Sequence, residues 1–240
     1  MALVYQKQLG NSHYEVRSAG ASLRLYSNGV LHSQYNPNTP VGGTIWDLLL
    51  LPGFFKDTPP KRILVLGLGG GAIVHLLKAF FPQSFLTCVE LDQQHIHIAK
   101  QYFLIPTHQL EIIHGDAYEY LSNTNDTFDW IIDDVFQHVS GEPIRGKSLQ
   151  DIFPLYLKKL AKQGMLSANL IGTEQYKHMK SFAEQFSQGY QFNHPMYENR
   201  IICLSDDMCS SAQFRINLKQ FKVLDQSRKS CKLNYRLRKL

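Results

Sequence analysis

One segment constrains this chain more than any other. Ile63-Leu64-Val65-Leu66 runs straight into Gly67-Leu68-Gly69-Gly70-Gly71-Ala72. Four large aliphatic residues in a row are what a strand buried on both faces of a parallel sheet requires. The loop fits G-x-G-x-x-G/A placed after a strand and before a helix, where glycines permit tight turns and let a ligand approach the backbone. A purely structural glycine turn is the other reading. Gly67, Gly69, Gly70 and Gly71 are therefore candidate cofactor-binding positions.

Patterning on either side supports the first reading. Strands are predicted over 63–66, 85–89, 110–114, 130–132 and 165–170. Helices are predicted over 72–81, 93–103, 117–121, 149–162 (with Gly164 ending it) and 175–186. Two last strands are predicted over 200–204 and 213–217. This alternation predicts an α/β fold: a Rossmann-like, doubly wound, mostly parallel sheet with helices on both faces. Its ligand belongs beyond the carboxyl ends of the strands, near the switch in strand order. Ahead of it, Ser22-Leu23-Arg24-Leu25-Tyr26 and Val30-Leu31-His32-Ser33-Gln34-Tyr35 flank Asn28-Gly29, a tight hairpin turn signal. A short helix over 44–51 and the joint Thr58-Pro59-Pro60 follow. The expected organisation is a small N-terminal β-rich unit (1–58), a nucleoside-binding domain (59–218) and a basic tail (219–240).

The ends of the next three predicted strands carry acids. Glu90, nineteen positions after Gly71, can accept two hydrogen bonds from a ribose diol, or can be an exposed strand-end acid. Asp116, in Gly115-Asp116-Ala117, can receive an adenine amine, can cap the helix that follows, or can do both. Asp133 and Asp134 close the fourth strand. By strand alternation they point to opposite sides, so one of them faces the ligand unless both are solvated.

Bulk properties narrow the classes. The 240 residues suit one large domain, or one domain with a small appendage. No apolar run reaches the ~18 residues of a membrane helix, so no membrane insertion is expected. Met1 to Gly10 lacks a signal-peptide pattern. Cys88, Cys203, Cys209 and Cys231 follow no zinc spacing, so free thiols, no metal and a cytoplasmic location are expected. The net charge of +5 is uneven: eight bases and one acid give 219–240 a charge of +7, leaving −2 for the rest. Such a tail can touch nucleic acid, a membrane surface or a partner, or can be a solvated terminus, which is the favoured reading. The N-terminal hairpin offers an edge for a homodimer.

Taken in order, Ile63 to Gly71, Val89-Glu90-Leu91-Asp92, Gly115-Asp116-Ala117, Phe128-Asp129-Trp130-Ile131-Ile132-Asp133-Asp134 and Phe153-Pro154-Leu155-Tyr156 resemble the spermidine synthase family, which shares the class I methyltransferase fold. The resemblance implies that S-adenosylmethionine or its decarboxylated form is held by the glycine loop, Glu90 (ribose), Asp116 with Ala117 (adenine) and Asp134. It also implies that Asp134 orients and deprotonates an attacking amine. His138 is a second candidate base.

The chain departs from the family at three places. Gly70 stands where an acid meets the donor's terminal amine. Val41 to Asp47 replaces a Tyr-His-Glu stretch. Gln137-His138 replaces a second acid and a proline. A polyamine needs several acids. The reading put first is therefore methyl transfer from S-adenosylmethionine or a related nucleoside to a small-molecule or unidentified acceptor. Aminopropyl transfer, a non-catalytic nucleoside-binding protein and an NAD-dependent enzyme are the alternatives.

Overall fold

The computed structural model describes the backbone of residues 1–139 and 142–240, and the side chains of these except 137–139 and 142–143. The N-terminal unit is a four-stranded antiparallel sheet in sequence order: β1 (Ala2–Leu9), β2 (Ser12–Ala19), β3 (Ser22–Ser27) and β4 (Val30–Tyr35). Asn28 and Gly29, at φ 50° and 80°, make the expected turn between β3 and β4. Asn28 Oδ1 also accepts from the His13 amide at 2.8 Å, which ties the turn to β2. Helix α1 (Ile45–Leu50) follows, held at its start by a capping box between Thr44 and Asp47.

The larger unit continues in chain order with β5 (Arg62–Leu66), α2 (Ala72–Phe80), β6 (Phe85–Glu90), α3 (Gln93–Gln101), β7 (Leu110–His114), α4 (Ala117–Asn123) and β8 (Phe128–Asp133). A small ribbon of β9 (Gln137–Val139) and β10 (Glu142–Ile144) comes next. Then follow α5 (Leu149–Lys159), β11 (Leu160–Leu170), α6 (Thr173–Phe182), β12 (Gln188–Asn193), β13 (Arg200–Ser205), α7 (Ser211–Lys219) and β14 (Arg236–Lys239). Eight of these strands form one sheet in the order β14-β12-β13-β11-β8-β5-β6-β7. The five from β11 to β7 are parallel, and β13, β12 and β14 join antiparallel. This is the expected Rossmann-like α/β architecture with its N-terminal β unit. Strand order reverses between β5 and β8, so their carboxyl ends open a crevice.

Alternate side chains of each central strand feed two cores. Ile63, Val65, Trp130 and Ile132 pack with α1, α2, α3 and α7, while Leu64, Leu66 and Ile131 pack with α4, α5 and α6. Each buried aliphatic side chain contributes about 1.5–3 kcal/mol, which explains why β5 carries no polar residue after Arg62.

Several boundaries differ from the sequence reading. The segment expected as a strand over 213–217 is helical. Its polar–apolar alternation suggested a strand, but the Ser210 hydroxyl caps a helix by accepting from Gln213 N, and Phe214 and Leu218, four apart, form its buried stripe. Helix α5 stops at Lys159, and Gly164 lies inside β11 beside a register shift between Leu160 and Met165. Strands β1, β2, β12 and β14 were not foreseen. Residues 219–240 pack onto the domain: Leu224 and Leu233 are buried, and β14 pairs Leu237 with Phe192 of β12. Among the described residues, no helix is long and apolar enough to cross a membrane.

Candidate active site

A cleft of about 670 Å³ lies at the carboxyl ends of β5, β6 and β8. Gly67, Leu68, Gly69, Glu90, Asp116, Ala117 and Asp134 all line it, so the expected glycine turn and three acids converge. Gly70 and Gly71, expected to touch a cofactor, are not on its wall. A Cβ at Gly70 would lie 2.8 Å from Ser33 Cβ and 3.0 Å from a Phe103 ring carbon; one at Gly71, where φ is 82°, would lie 2.4 Å from Ile105 Cγ2. These two glycines let the loop pack on the protein itself. Gly67 has φ 88° and the Asp134 carbonyl 2.5 Å from its ideal Cβ position, so no other residue fits there.

Glu90 ends β6 and reaches back under the loop. Its Oε2 accepts from the amides of Leu68 (2.8 Å) and Gly69 (2.9 Å), and Oε1 accepts from the Asp92 amide (2.9 Å). Burial pushes this carboxyl up, but His95 and the surrounding amides prevail and hold it at about 2. It is an anion throughout the physiological range. Asp116 does cap α4, its Oδ1 accepting from Tyr118 N (2.8 Å) and Glu119 N (2.9 Å). Because Asp116 also lines the cleft, the two sequence alternatives are compatible.

Asp133 and Asp134 diverge as strand alternation demands. Asp133 is fully buried: Oδ2 meets Arg145 Nη1 at 2.6 Å and accepts the Tyr156 hydroxyl, while Oδ1 accepts from Val135 N at 3.1 Å. Asp134 faces the cleft, and its Oδ1 accepts from Asn169 Nδ2 at 2.7 Å. Burial first, and then the neighbouring Asp133 charge, push its carboxyl up to about 7. A carboxyl with that value exchanges a proton readily near neutrality. The side chain of His138, the second candidate base, lies outside the described residues, as does that of Gln137.

Other cleft residues carried no motif. Asn169 sits one past Ala168, which pairs with Asp133, so it arrives level with Asp134 at the ligand edge. A polar residue at the end of the fifth parallel strand was the available signal. Asn199 Nδ2 donates to Asn169 Oδ1 at 2.9 Å and fixes its orientation. The β3–β4 hairpin brings Ser27, Asn28, Val30, Leu31 and His32 over the cleft, and α3 contributes His95.

Residues 47–197 match the spermine/spermidine synthase domain. The chain is similar to a polyamine aminopropyltransferase of Vibrio vulnificus (strain CMCP6), 30% identical over 164 residues that cover 65% of this chain and 54% of that protein. A shorter stretch of 75 residues is 39% identical to an eEF1A lysine and N-terminal methyltransferase homolog of Drosophila pseudoobscura pseudoobscura, covering 31% of this chain and 11% of that one. The chain thus spans about half the length of the Vibrio relative and far less of the Drosophila one. A probable spermidine synthase from Corynebacterium glutamicum ATCC 13032 shares the fold with a TM-score of 0.75 at 20% identity, covering 99% of this chain and 90% of that one.

Proposed function

Because the chain belongs to the spermine/spermidine synthase domain family, we propose that it transfers an aminopropyl group from decarboxylated S-adenosylmethionine to a small amine in the cleft bounded by Glu90, Asp116 and Asp134. This places aminopropyl transfer ahead of the methyl transfer favoured by the sequence reading. The matched domain and the Vibrio vulnificus aminopropyltransferase support that order.

The residues fit the adenosyl part of such a donor. The cleft is of ligand size, and ionised Glu90 and the capping Asp116 stand where hydroxyl and amine donors can meet them. His95 Nε2 and the Tyr118 hydroxyl oxygen are buried without hydrogen-bond partners among the described residues, although both side chains line the cleft.

One observation carries the reading: Asp134 is half-buried on the cleft wall, held by Asn169, with its carboxyl pushed up to about 7. When bound, the donor supplies a carbon made electrophilic by its sulfonium. An alkylamine is protonated near pH 7 and has no lone pair for attack. Asp134 removes that proton, with the Asn199–Asn169 hydrogen-bond chain fixing the carboxylate. The rest of the acceleration comes from holding donor and amine in line.

Methyl transfer is the second reading, and Gly70 favours it. The family resemblance places there the acid that grips the decarboxylated donor's amine, whereas here Ser33 and Phe103 fill the space. Incubation with decarboxylated S-adenosylmethionine and putrescine, followed by mass spectrometry, tests the proposal. The expected result is release of methylthioadenosine and an amine heavier by one aminopropyl group. Formation of S-adenosylhomocysteine from the carboxylated donor instead would establish the second reading. Absence of both products, with no nucleoside bound, would leave a non-catalytic protein.

A further inference from the structure

We infer that His95 is a positioning residue of the nucleoside site, wedged between Glu90 and Asp92 so that it fixes the ribose-facing carboxylate and couples it to the N-terminal sheet. The inference rests on the functional reading above and extends it to a residue that no motif singled out.

The geometry is that of a clamp. His95 lies in the first turn of α3, directly after the strand that ends in Glu90. Its Nδ1 is 3.7 Å from Glu90 Oε1, and its Nε2 is 3.9 Å from Asp92 Oδ2. Asp92 caps the same helix through Oδ1, which accepts from Gln94 N at 2.7 Å. From β2, the Tyr14 hydroxyl donates to Asp92 Oδ2 at 2.7 Å, and the Tyr14 ring meets His95 edge-on at 5.8 Å. From β4, the His32 ring lies 4.8 Å from the His95 ring. The His32 carbonyl comes within 2.8 Å of where a Cβ on Gly69 would be. The titratable groups facing His95 are therefore Glu90 and Asp92 from its own strand–helix junction, and Tyr14 and His32 from the N-terminal sheet.

A satisfied core histidine would have both ring nitrogens bonded, yet Nε2 has no hydrogen-bond partner and the side chain is only 8% exposed. Two carboxylates around one buried ring favour its charged form. Burial pulls the His95 pKa down, but the Glu90 carboxylate 3.7 Å away, and then the charge of Asp92, raise it above its ordinary value. As a cation, His95 compensates both acids and leaves Glu90 Oε2 aimed at the Leu68 and Gly69 amides. Once the ring is neutral, two carboxylates face each other across it without a counter-charge, and the edge that receives the ribose loosens. Nucleoside affinity should therefore be highest on the acid side of the His95 transition and fall as pH rises through it.

Calorimetric titration of the full chain with methylthioadenosine between about pH 6 and about pH 9 tests this. Wild type should lose about tenfold in affinity across the range. His95→Gln keeps an N–H beside Glu90 but cannot titrate, so it should bind within about threefold of wild type at neutral pH and keep only the slope that Asp134 contributes. His95→Val should bind about tenfold more weakly at the acid end, with the same reduced slope. Thermal melts will show whether each variant folds, and His95→Gln decides the matter if His95→Val does not. A flat wild-type profile, or a His95→Gln profile that superimposes on a sloping wild type, would overturn the inference. Failure of wild type to bind methylthioadenosine at any pH would be a different result, overturning the functional reading itself and the inference with it.

Discussion

At Asp133 a fully buried carboxylate meets Arg145 and Tyr156, whereas Asp134, one residue on, is half-buried on the cleft wall and meets a single amide. The first arrangement ties the carboxylate into the fold; the second leaves it open to the cleft. The Asp134 pKa of about 7 lies above the ordinary 3.8. The native state thus binds a proton that the unfolded chain releases, and stability falls as pH rises from about 4 to about 7. In the proposed reaction the deprotonated form is the active one, so kcat/KM should rise with pH through about 7, read from initial rates. Asp134→Asn should lower kcat by about 10²–10⁴ and raise Tm at pH 8 by removing a poorly solvated charge. A lower Tm would remove the premise of a strained base. Arg145→Ala strands Asp133 without its cation and should cost about 3–5 kcal/mol, measured by denaturant titration. The pair Asp133-Asp134 was visible in the sequence, and alternation implied that only one faces the ligand. Which one does is decided by Arg145, on a segment with no periodic pattern, and by Asn169, brought level by strand register.

At the scale of elements, the glycine loop serves the fold as much as the ligand. Gly67 and Gly69 line the cleft, while Gly70 and Gly71 admit Ser33, Phe103 and Ile105. Restoring an acid with Gly70→Asp should therefore destabilise the chain by about 1–3 kcal/mol through overpacking and should not improve turnover. A stable Gly70→Asp variant with faster aminopropyl transfer would show that the loop rearranges to accept it. The parallel strands were legible because burial on both faces leaves uninterrupted aliphatic runs such as Ile63 to Leu66. Helix α7 was not, because Gln213-Phe214-Arg215-Ile216-Asn217 alternates like a strand, and only the Ser210 cap and the Phe214–Leu218 spacing reveal the helix. Strand β14 was hidden for another reason. Its Arg-Leu-Arg-Lys sequence reads as a solvated tail, yet an edge strand needs only one apolar side chain facing the core, and Leu237 supplies it.

Across the whole molecule, the site is assembled between two units. The parallel sheet supplies the acids, and the N-terminal sheet lays its β3–β4 hairpin over them through His32 and Asn28. The residues after α7 brace the same side: Leu233 is buried, and the Lys232 carbonyl abuts Gly43 at the approach to α1. Strand β1 leaves an exposed edge carrying Leu3, Val4 and Leu9. The proposed activity requires Glu90, Asp116 and the Gly69 turn to grip one adenosyl group. Equilibrium titration of wild type, Glu90→Ala and Asp116→Ala with decarboxylated S-adenosylmethionine tests that most directly. Saturable one-to-one binding to wild type, weakened at least about tenfold in each variant, is the predicted result. Binding that is absent from wild type, or unchanged in both variants, would contradict the account.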